Sequence, residues 1–341
     1  MIKVLIVTNM YPFKGMDYFG NFLKNEVEFI NSNEDIKADV FFVNGRIDKK
    51  NYITNLIKFM KIYKKYDVIH YHHSYVAWYS YFVKNKIQIF TIHEGGNIHI
   101  KNDMLIPGYG HGRNSKLEGI FKLLNLREKI FNKMDKIIVT KISNHDCYFN
   151  NKKIMFNPMG IDFEKFNIYD IEESKSKIDV DIKEGEIVLL FPNEPRKEKN
   201  IELFEKVSGK IEERLGVKVK KLYGGKISHN EMQYFINISD ICYLTSEFEA
   251  SPTIAKETIA CGKIILTTDV GDLRELFGTE FYDWICKDEE EFIKKSMNII
   301  KNNNLDREKI RKHGINKGIS IEDTAKNVCN LYRGFYKNTG E

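Results

Sequence analysis

The feature that most constrains the fold is an alternation of short apolar runs with longer helical patterns, which occurs twice along the 341 residues. The apolar runs are continuous, which is typical of parallel strands covered on both faces. The runs that we predict as strands are 3–9, 38–43, 67–71, 87–92, 136–140 and 153–156 in the first series and 187–191, 217–222, 240–244 and 263–267 in the second. Repeated strand–helix alternation predicts an α/β fold of two similar units, each with a parallel sheet.

A polar segment that contains Pro and Gly, NPMGID at 157–162, separates the two series. Because these residues are typical of turns, we place a domain boundary near residue 165. The first domain is then 1–165 and the second 166–320. A final helix at about 321–337 carries apolar residues at helical spacing and is a candidate to pack back on the first domain.

The charge of the chain is unevenly placed. The net charge is +5, with +9 in residues 1–165 and −4 in the remainder. A basic first half favours an acidic surface or an anionic acceptor, although solvated lysines would explain it equally well. We expect no nucleic-acid partner.

The cysteines and the hydropathy of the sequence indicate the cellular compartment of the protein. Five widely spaced cysteines without a CxxC pair argue against a disulfide framework or a zinc site and favour a reducing compartment. The apolar start is too short for a signal peptide, and no run of about 18 apolar residues exists to span a membrane. We therefore expect a cytoplasmic protein.

The most informative segment follows the strand at 240–244 and opens a helix. Pro252 stands where the first helical turn would begin, and Ser251 and Thr253 are plausible cap residues. A helix N-terminus at the end of a parallel strand can bind an anion. Glu249 and Glu257 flank it, and carboxylates suit ribose and sugar hydroxyls. A capped surface helix with solvated glutamates is the alternative interpretation.

The same segment carries a family resemblance. Residues 249–262, EASPTIAKETIACG, and 267–275, TTDVGDLRE, resemble the signature block of family-4 glycosyltransferases, in the form found in surface-polysaccharide and teichuronic-acid transferases. Further segments that resemble this family are VTNMYP at 7–12, FGNF at 19–22, DVIHYH at 67–72, TIH at 91–93, NPMGID at 157–162 and RKEKN at 196–200. The resemblance implies the GT-B architecture, with two Rossmann-like domains whose parallel sheets face each other across a cleft.

The resemblance also implies residue roles. Arg196 and Lys199 would bind the donor diphosphate and stabilise the leaving nucleotide, which suits their charge. Glu257 would hold the ribose, and Glu249 would contact the transferred sugar. A covalent role for Glu249 as nucleophile stays open, although we favour positioning.

Further donor contacts would come from the loop before the helix and from the first domain. The loop residues are Ser251, Pro252, Thr253 and Ile254. Gly20 would let the N-terminal loop approach the diphosphate, because a side chain would block it. His93 would lie at the reacting centre. Glu94 stands where the family has glycine, which affects the acceptor side.

The implied reaction is a retaining, metal-independent transfer from a nucleoside-diphosphate sugar, with a UDP-sugar favoured, to a glycan or lipid-linked acceptor. We expect no resident cofactor and no metal. Asp179 and Asp181 have the Asp-x-Asp form of metal-dependent transferases, but they lie in a charged linker. Two rivals remain: a nucleotide-sugar epimerase of the same fold, and a non-catalytic nucleotide-sugar-binding subunit of a polysaccharide assembly complex.

Two basic amphipathic helices occur in the first domain. Lys58, Lys61 and Lys65 share one face of a helix predicted at 52–66, and a second helix predicted at 116–134 repeats the theme. Such helices can lie in a membrane interface. Peripheral association with the anionic inner face of the cell membrane is therefore a hypothesis, and simple coverage of the sheet by these helices is the alternative.

Overall fold

The computed structural model describes residues 1–16, 19–93, 98–101, 104–107, 126–140, 152–249, 251–302 and 305–338. The chain forms two compact units. Unit 1 is Met1–Gly160 together with the chain from Ile321 onward, and unit 2 is Ile161–Ser320.

Strands and helices alternate in both units. The strands are β1 Ile2–Thr8, β2 Ile36–Phe42, β3 Val68–His72, β4 Ile87–Ile92, β5 Ile98–Lys101, β6 Met104–Pro107, β7 Lys136–Val139, β8 Ile154–Phe156, β9 Ile187–Phe191, β10 Val219–Tyr223, β11 Ile241–Leu244 and β12 Ile265–Thr267. The α-helices are α1 Asn21–Asn31, α2 Asn51–Ile62, α3 Ser74–Ala77, α4 Leu126–Lys133, α5 Ile171–Ser176, α6 Ile201–Leu215, α7 Met232–Ile238, α8 Thr253–Ala260, α9 Leu273–Phe277, α10 Glu289–Asn302, α11 Arg307–Asn316 and α12 Ile321–Asn338.

The sheet of unit 1 has six parallel strands in the order β2-β1-β3-β4-β7-β8. Strand β1, which has a neighbour on each side, is buried on both faces, and its sequence IKVLIVT is almost continuously apolar. A separate antiparallel hairpin joins β5 to β6. The last helix, α12, completes this unit: Val328 and Tyr332 lie in one core cluster with Val4 and Leu23.

The sheet of unit 2 has four parallel strands in the order β10-β9-β11-β12. Helices α7 and α8 supply Ile236 and Ile259 to the core on one face, and α6 and α10 supply Phe204 and Phe292 on the other. The carboxyl ends of all four strands lie at one edge of this sheet, because the strands are parallel.

The predicted α/β fold with parallel sheets is confirmed. Strands β4 and β9 have the predicted limits to the residue, while β10 starts two residues later than predicted. The short helices α3, α5 and α9 were not predicted, since so few residues show no periodicity.

Helices α2 and α4 correspond to the two basic amphipathic helices predicted from the sequence, and each covers only part of its predicted range. The lysines at 58, 61 and 65, in and just after α2, are exposed. Phe59 is buried and Leu56 and Met60 pack against the core, whereas Ile53 and Ile57 are well exposed. Helix α4 covers part of the predicted 116–134 segment, and residues 116–125 lie outside the described residues. A search of the described helices for a bilayer-spanning segment finds none.

Candidate functional site

The loops at the carboxyl edge of the unit 2 sheet carry the sequence-predicted donor residues. The loop after β9 holds Arg196 and Lys199, and the loop after β11 holds Glu249 and Ser251. Thr245 joins these two loops, since its buried hydroxyl donates to the backbone carbonyls of Lys199 and Asn200, both at 2.9 Å. The sheet therefore brings together segments that are about 50 residues apart in sequence.

Lys199 and Glu249 form a close ion pair at this edge. The Lys199 ammonium donates to Glu249 Oε1 at 2.5 Å, and Ser246 donates to the same oxygen at 2.7 Å. The two charged side chains are only 18% and 16% exposed. Low exposure strengthens the attraction relative to a surface pair. The Glu249 carboxylate is therefore held in a fixed direction.

Arg196 lies at the outer end of the same loop. Its guanidinium is 53% exposed and pairs with Glu194 at 3.2 Å and with Glu198 at 3.7 Å. Such exposed pairs are weak, so a diphosphate could compete for the guanidinium at little cost. Arg196 and Lys199 are thus placed on one loop but held by different acidic partners.

Glu257 lies on α8, where it is buried. Its Oε1 is 3.3 Å from His229 Nε2, and His229 Nδ1 is 2.8 Å from the ammonium of Lys165. Burial lowers the pKa of Lys165, although Glu257 and Asp162 oppose the shift. Lys165, His229 and Glu257 thus form a connected series of side chains that can donate and accept hydrogen bonds, which is what the two hydroxyls of a ribose require.

The start of α8 differs from the prediction. Pro252 occupies the N-cap position with ψ of 110°, just before the first helical residue, Thr253. The expectation that Ser251 or Thr253 caps the helix is wrong, because no side chain of the described residues does so. Ser251 donates instead to Asp272 Oδ2 at 2.7 Å. The first-turn amides, including that of Ile254, therefore lack a side-chain cap.

Two glycines of this edge were missed by the sequence analysis. A Cβ on Gly224, at the end of β10, would lie 1.8 Å from the carbonyl oxygen of Pro192, and one on Gly225 would lie 3.1 Å from the Cα of Glu194. Glycine lets the loops after β9 and β10 approach this closely. A Gly-Gly pair directly after a strand was the available signal.

Gly20 and His93 lie at the carboxyl edge of the unit 1 sheet. Gly20 precedes α1 with φ of 74°, and a Cβ there would lie 2.6 Å from the carbonyl carbon of Met10. A side chain at position 20 would therefore collide with the backbone of the same loop, at Met10. His93 follows β4, and its Nε2 is 2.9 Å from Nδ1 of His72.

A buried histidine cluster supports His93. His70 Nδ1 is 2.6 Å from the hydroxyl of Tyr332 on α12, and its Nε2 is 2.7 Å from the hydroxyl of Thr91. Burial, with a smaller effect of His93, lowers the pKa of His70 to about 3. Burial and the neighbouring histidines hold the pKa of His72 well below its usual range. Both rings are therefore neutral at pH 7 and serve as packed hydrogen-bonding groups.

Glu26 on α1 lines the same small cavity as His93. Burial raises the pKa of Glu26 to about 7. The sequence analysis missed this residue, because a single Glu on an amphipathic helix gives no signal of its surroundings. A carboxyl that titrates near neutral pH beside a candidate site is a feature of functional sites.

Known proteins resemble this chain in one segment of its sequence and in its fold. Residues 210–317 match the family model of glycosyl transferases group 1, a segment that contains Glu249 and Glu257. A glycosyltransferase from Rickettsia africae is similar in structure, with a TM-score of 0.65, 15% identity and 99% of each chain covered. The chain has the GT-B fold. The resemblance to glycosyltransferases predicted from sequence is confirmed.

Other GT-B structures agree. Anabaena HepE in complex with UDP has a TM-score of 0.66 at 10% identity, and 98% of this chain and 100% of that chain are covered. A UDP-N-acetylglucosamine 2-epimerase homologue from Listeria monocytogenes has a TM-score of 0.56 at 10% identity, with 99% and 97% covered. No curated protein sequence matches the chain significantly.

One predicted feature of this GT-B protein, Glu94, lies outside the described residues. Asp179 and Asp181 are exposed in the segment before β9, at the opposite end of that strand from Arg196 and Lys199. Within the described ranges, no group of three or more His, Cys, Asp or Glu side chains could hold a metal ion.

Proposed function

We propose that this GT-B protein transfers a sugar, with retention and without a metal ion, from a nucleoside-diphosphate sugar to a glycan or lipid-linked acceptor in surface-polysaccharide or glycoconjugate synthesis. The single observation that carries the proposal is the Lys199–Glu249 pair at the carboxyl edge of unit 2. A cation that can bind phosphate lies directly beside a carboxylate that can accept hydroxyls, and a nucleotide sugar needs both.

The donor would lie along the unit 2 edge. Arg196, Lys199 and the uncapped first turn of α8 supply positive charge for the diphosphate. Glu257 accepts the ribose hydroxyls, and Glu249 accepts those of the sugar. We favour UDP as the nucleotide, because HepE of the same fold has been solved with UDP and with UDP-glucose.

The chemistry needs charge stabilisation on the departing diphosphate. Cations and backbone amides that are already in place stabilise developing negative charge without reorganisation. These groups would do the work that a divalent cation does in other transferases. The proposal therefore assigns no residue to a metal.

Glu249 is better suited to positioning than to covalent attack. Its Oε1 accepts from both Lys199 and Ser246, so its electron density is already shared with two donors. A nucleophile at this position would have to give up these bonds as it attacks. We therefore infer that Glu249 orients the sugar while the diphosphate departs.

The acceptor belongs to unit 1 in this proposal. His93, at the end of β4, would contact the reacting centre, and Gly20 would allow close approach of the diphosphate. The neutral ring of His72 donates or accepts one hydrogen bond with His93 and so fixes the orientation of the His93 ring.

Unit 1 also carries a surface that suits an anionic membrane. On and before α2, Ile47, Ile53 and Ile57 are 71%, 68% and 66% exposed, and the lysines at 58 and 61 are exposed among them. Apolar side chains within a basic surface are typical of interfacial binding. We propose peripheral association with the inner face of the cell membrane, where a lipid-linked acceptor would lie.

The proposal is tested by titrating the protein with UDP in a calorimeter and by measuring free UDP from UDP-sugars with and without candidate acceptors. We expect UDP to bind and to be released from the donor only when acceptor is present, with the anomeric configuration retained by NMR and no loss of rate in EDTA. Conversion of the donor sugar without any acceptor would instead identify an epimerase. Binding without turnover for every acceptor would favour a non-catalytic binding subunit.

A further inference from the structure

The helix α8, which begins at the carboxyl edge of the unit 2 sheet, carries a fully buried lysine. Lys256 lies on α8, and its side chain is 0% exposed. Its ammonium is 2.9 Å from Asp272 Oδ2, and the Asp272 side chain is 3% exposed. It also donates to the hydroxyl of Ser251 at 2.5 Å, while Ser251 donates to Asp272 Oδ2. Three polar side chains thus form a closed buried triangle.

This triangle is not needed for stability alone. Removing two charges from water costs several kcal/mol per ion, and a buried ion pair can often be replaced by apolar residues without loss of stability. The cost is visible here, because Asp272 Oδ1 is buried and has no hydrogen-bond partner in the described part of the chain.

What the triangle does is join two loops. Ser251 comes immediately before α8, in the loop after β11, and Asp272 comes after β12. Lys256, one turn into α8, contacts both Ser251 and Asp272 and so links the two loops to the helix. Because the described side chains leave the first turn of α8 uncapped, the triangle holds that turn in place without occupying its amides.

We propose that Lys256 and Asp272 are positioning residues, which fix Ser251 and the first turn of α8 in the geometry that binds the donor diphosphate. The inference rests on the proposed function and deepens it. An ordinary N-cap by Ser251 would use up an amide that the diphosphate needs. The ion pair diverts the Ser251 hydroxyl to Asp272 and so keeps that amide available.

The test separates positioning from stability. Lys256→Met alone leaves a buried carboxylate without its cation, and we expect a lower Tm. The double variant Lys256→Met/Asp272→Leu removes both charges, and we expect it to recover most of that Tm while UDP binds at least about tenfold more weakly, a change of about 1.4 kcal/mol. The matched control is Lys210→Gln/Glu213→Gln, which breaks an exposed pair on α6 and should change neither quantity.

A double variant with wild-type Tm and wild-type UDP affinity and kcat would overturn the inference. If the double variant does not fold, Asp272→Asn, which preserves shape, provides the same comparison of Tm with UDP affinity. Wild-type affinity in that variant would also refute the role. Failure of the wild-type protein itself to bind UDP, ADP or GDP would instead refute the proposed function, so the two outcomes are distinct.

Discussion

The Lys199–Glu249 pair predicts how loss of the Lys199 ammonium should affect stability and turnover. Lys199→Met removes the ammonium but keeps an unbranched side chain of similar length. Breaking a buried ion pair costs about 3–5 kcal/mol. Both partners here retain some exposure, and Glu249 keeps its bond from Ser246, so we expect a loss of only about 1–2 kcal/mol.

That loss should leave the protein folded, since domains are stable by about 5–15 kcal/mol. The effect on turnover should be larger. Removing one preorganised group that stabilises transition-state charge lowers kcat by about 100-fold to 1,000-fold. Lys197→Met changes an exposed lysine of the same turn and serves as the control, with a rate expected to match the wild type.

The assay measures UDP release from the donor in the presence of acceptor, with Tm recorded for each variant. We expect Lys199→Met to lose rate by about two to three orders of magnitude with a fall in Tm of less than about 8 °C. A variant that keeps kcat within threefold of wild type would show that Lys199 does not stabilise the leaving diphosphate. Equal losses in Lys197→Met would show a general effect of charge on the loop.

Other expected outcomes follow from groups on both units. Glu257→Gln should weaken UDP binding by about 10-fold to 100-fold in calorimetry, because a hydrogen bond to a charged group contributes about 1.5–3 kcal/mol; unchanged affinity would disprove the ribose role. Because the native pKa of Glu26 is raised to about 7, this carboxyl contributes stability that should fall as pH rises from the usual carboxyl pKa to 7, whereas the lowered pKa values of His70 and His72 act in the opposite direction. Chemical denaturation across pH 4.5–8 should therefore show that the stability of the wild type relative to Glu26→Gln falls as pH rises, because the histidine contribution is common to both proteins, and identical slopes would argue against the shift. Charge reversal of Lys58, Lys61 and Lys65 should abolish low-salt co-sedimentation with anionic vesicles, since each Lys near anionic lipid contributes about 1 kcal/mol, while UDP affinity stays unchanged; wild-type protein that stays in the supernatant would rule out the membrane hypothesis.

The sequence predicted the elements well where local patterns decide them. The apolar runs of β4 and β9 are long enough and sharply bounded, so their limits were predicted to the residue. The block with Glu249 and Glu257 was recognised from residue types and spacing within one loop and one helix. Residues that act together over short distances in sequence leave this kind of signal.

Contacts between loops left no such signal. His229 reaches Glu257 only because parallel strands bring the ends of β10 and β11 to one edge. The predicted caps failed for the same reason, since Asp272, 21 residues away, competes for the Ser251 hydroxyl. The Lys199–Glu249 pair joins loops 50 residues apart, so spacing along the chain could not predict it.

The return of α12 to unit 1 has a consequence for how the protein is made. Domains fold largely as units during synthesis, with earlier segments first. Unit 2 is continuous in sequence and can close as soon as Ser320 has emerged, but the apolar face of unit 1 around Val4 stays uncovered until Tyr332 arrives. During that interval His70 lacks the hydroxyl that it meets in the finished fold, so the first half to be translated is the last to be completed.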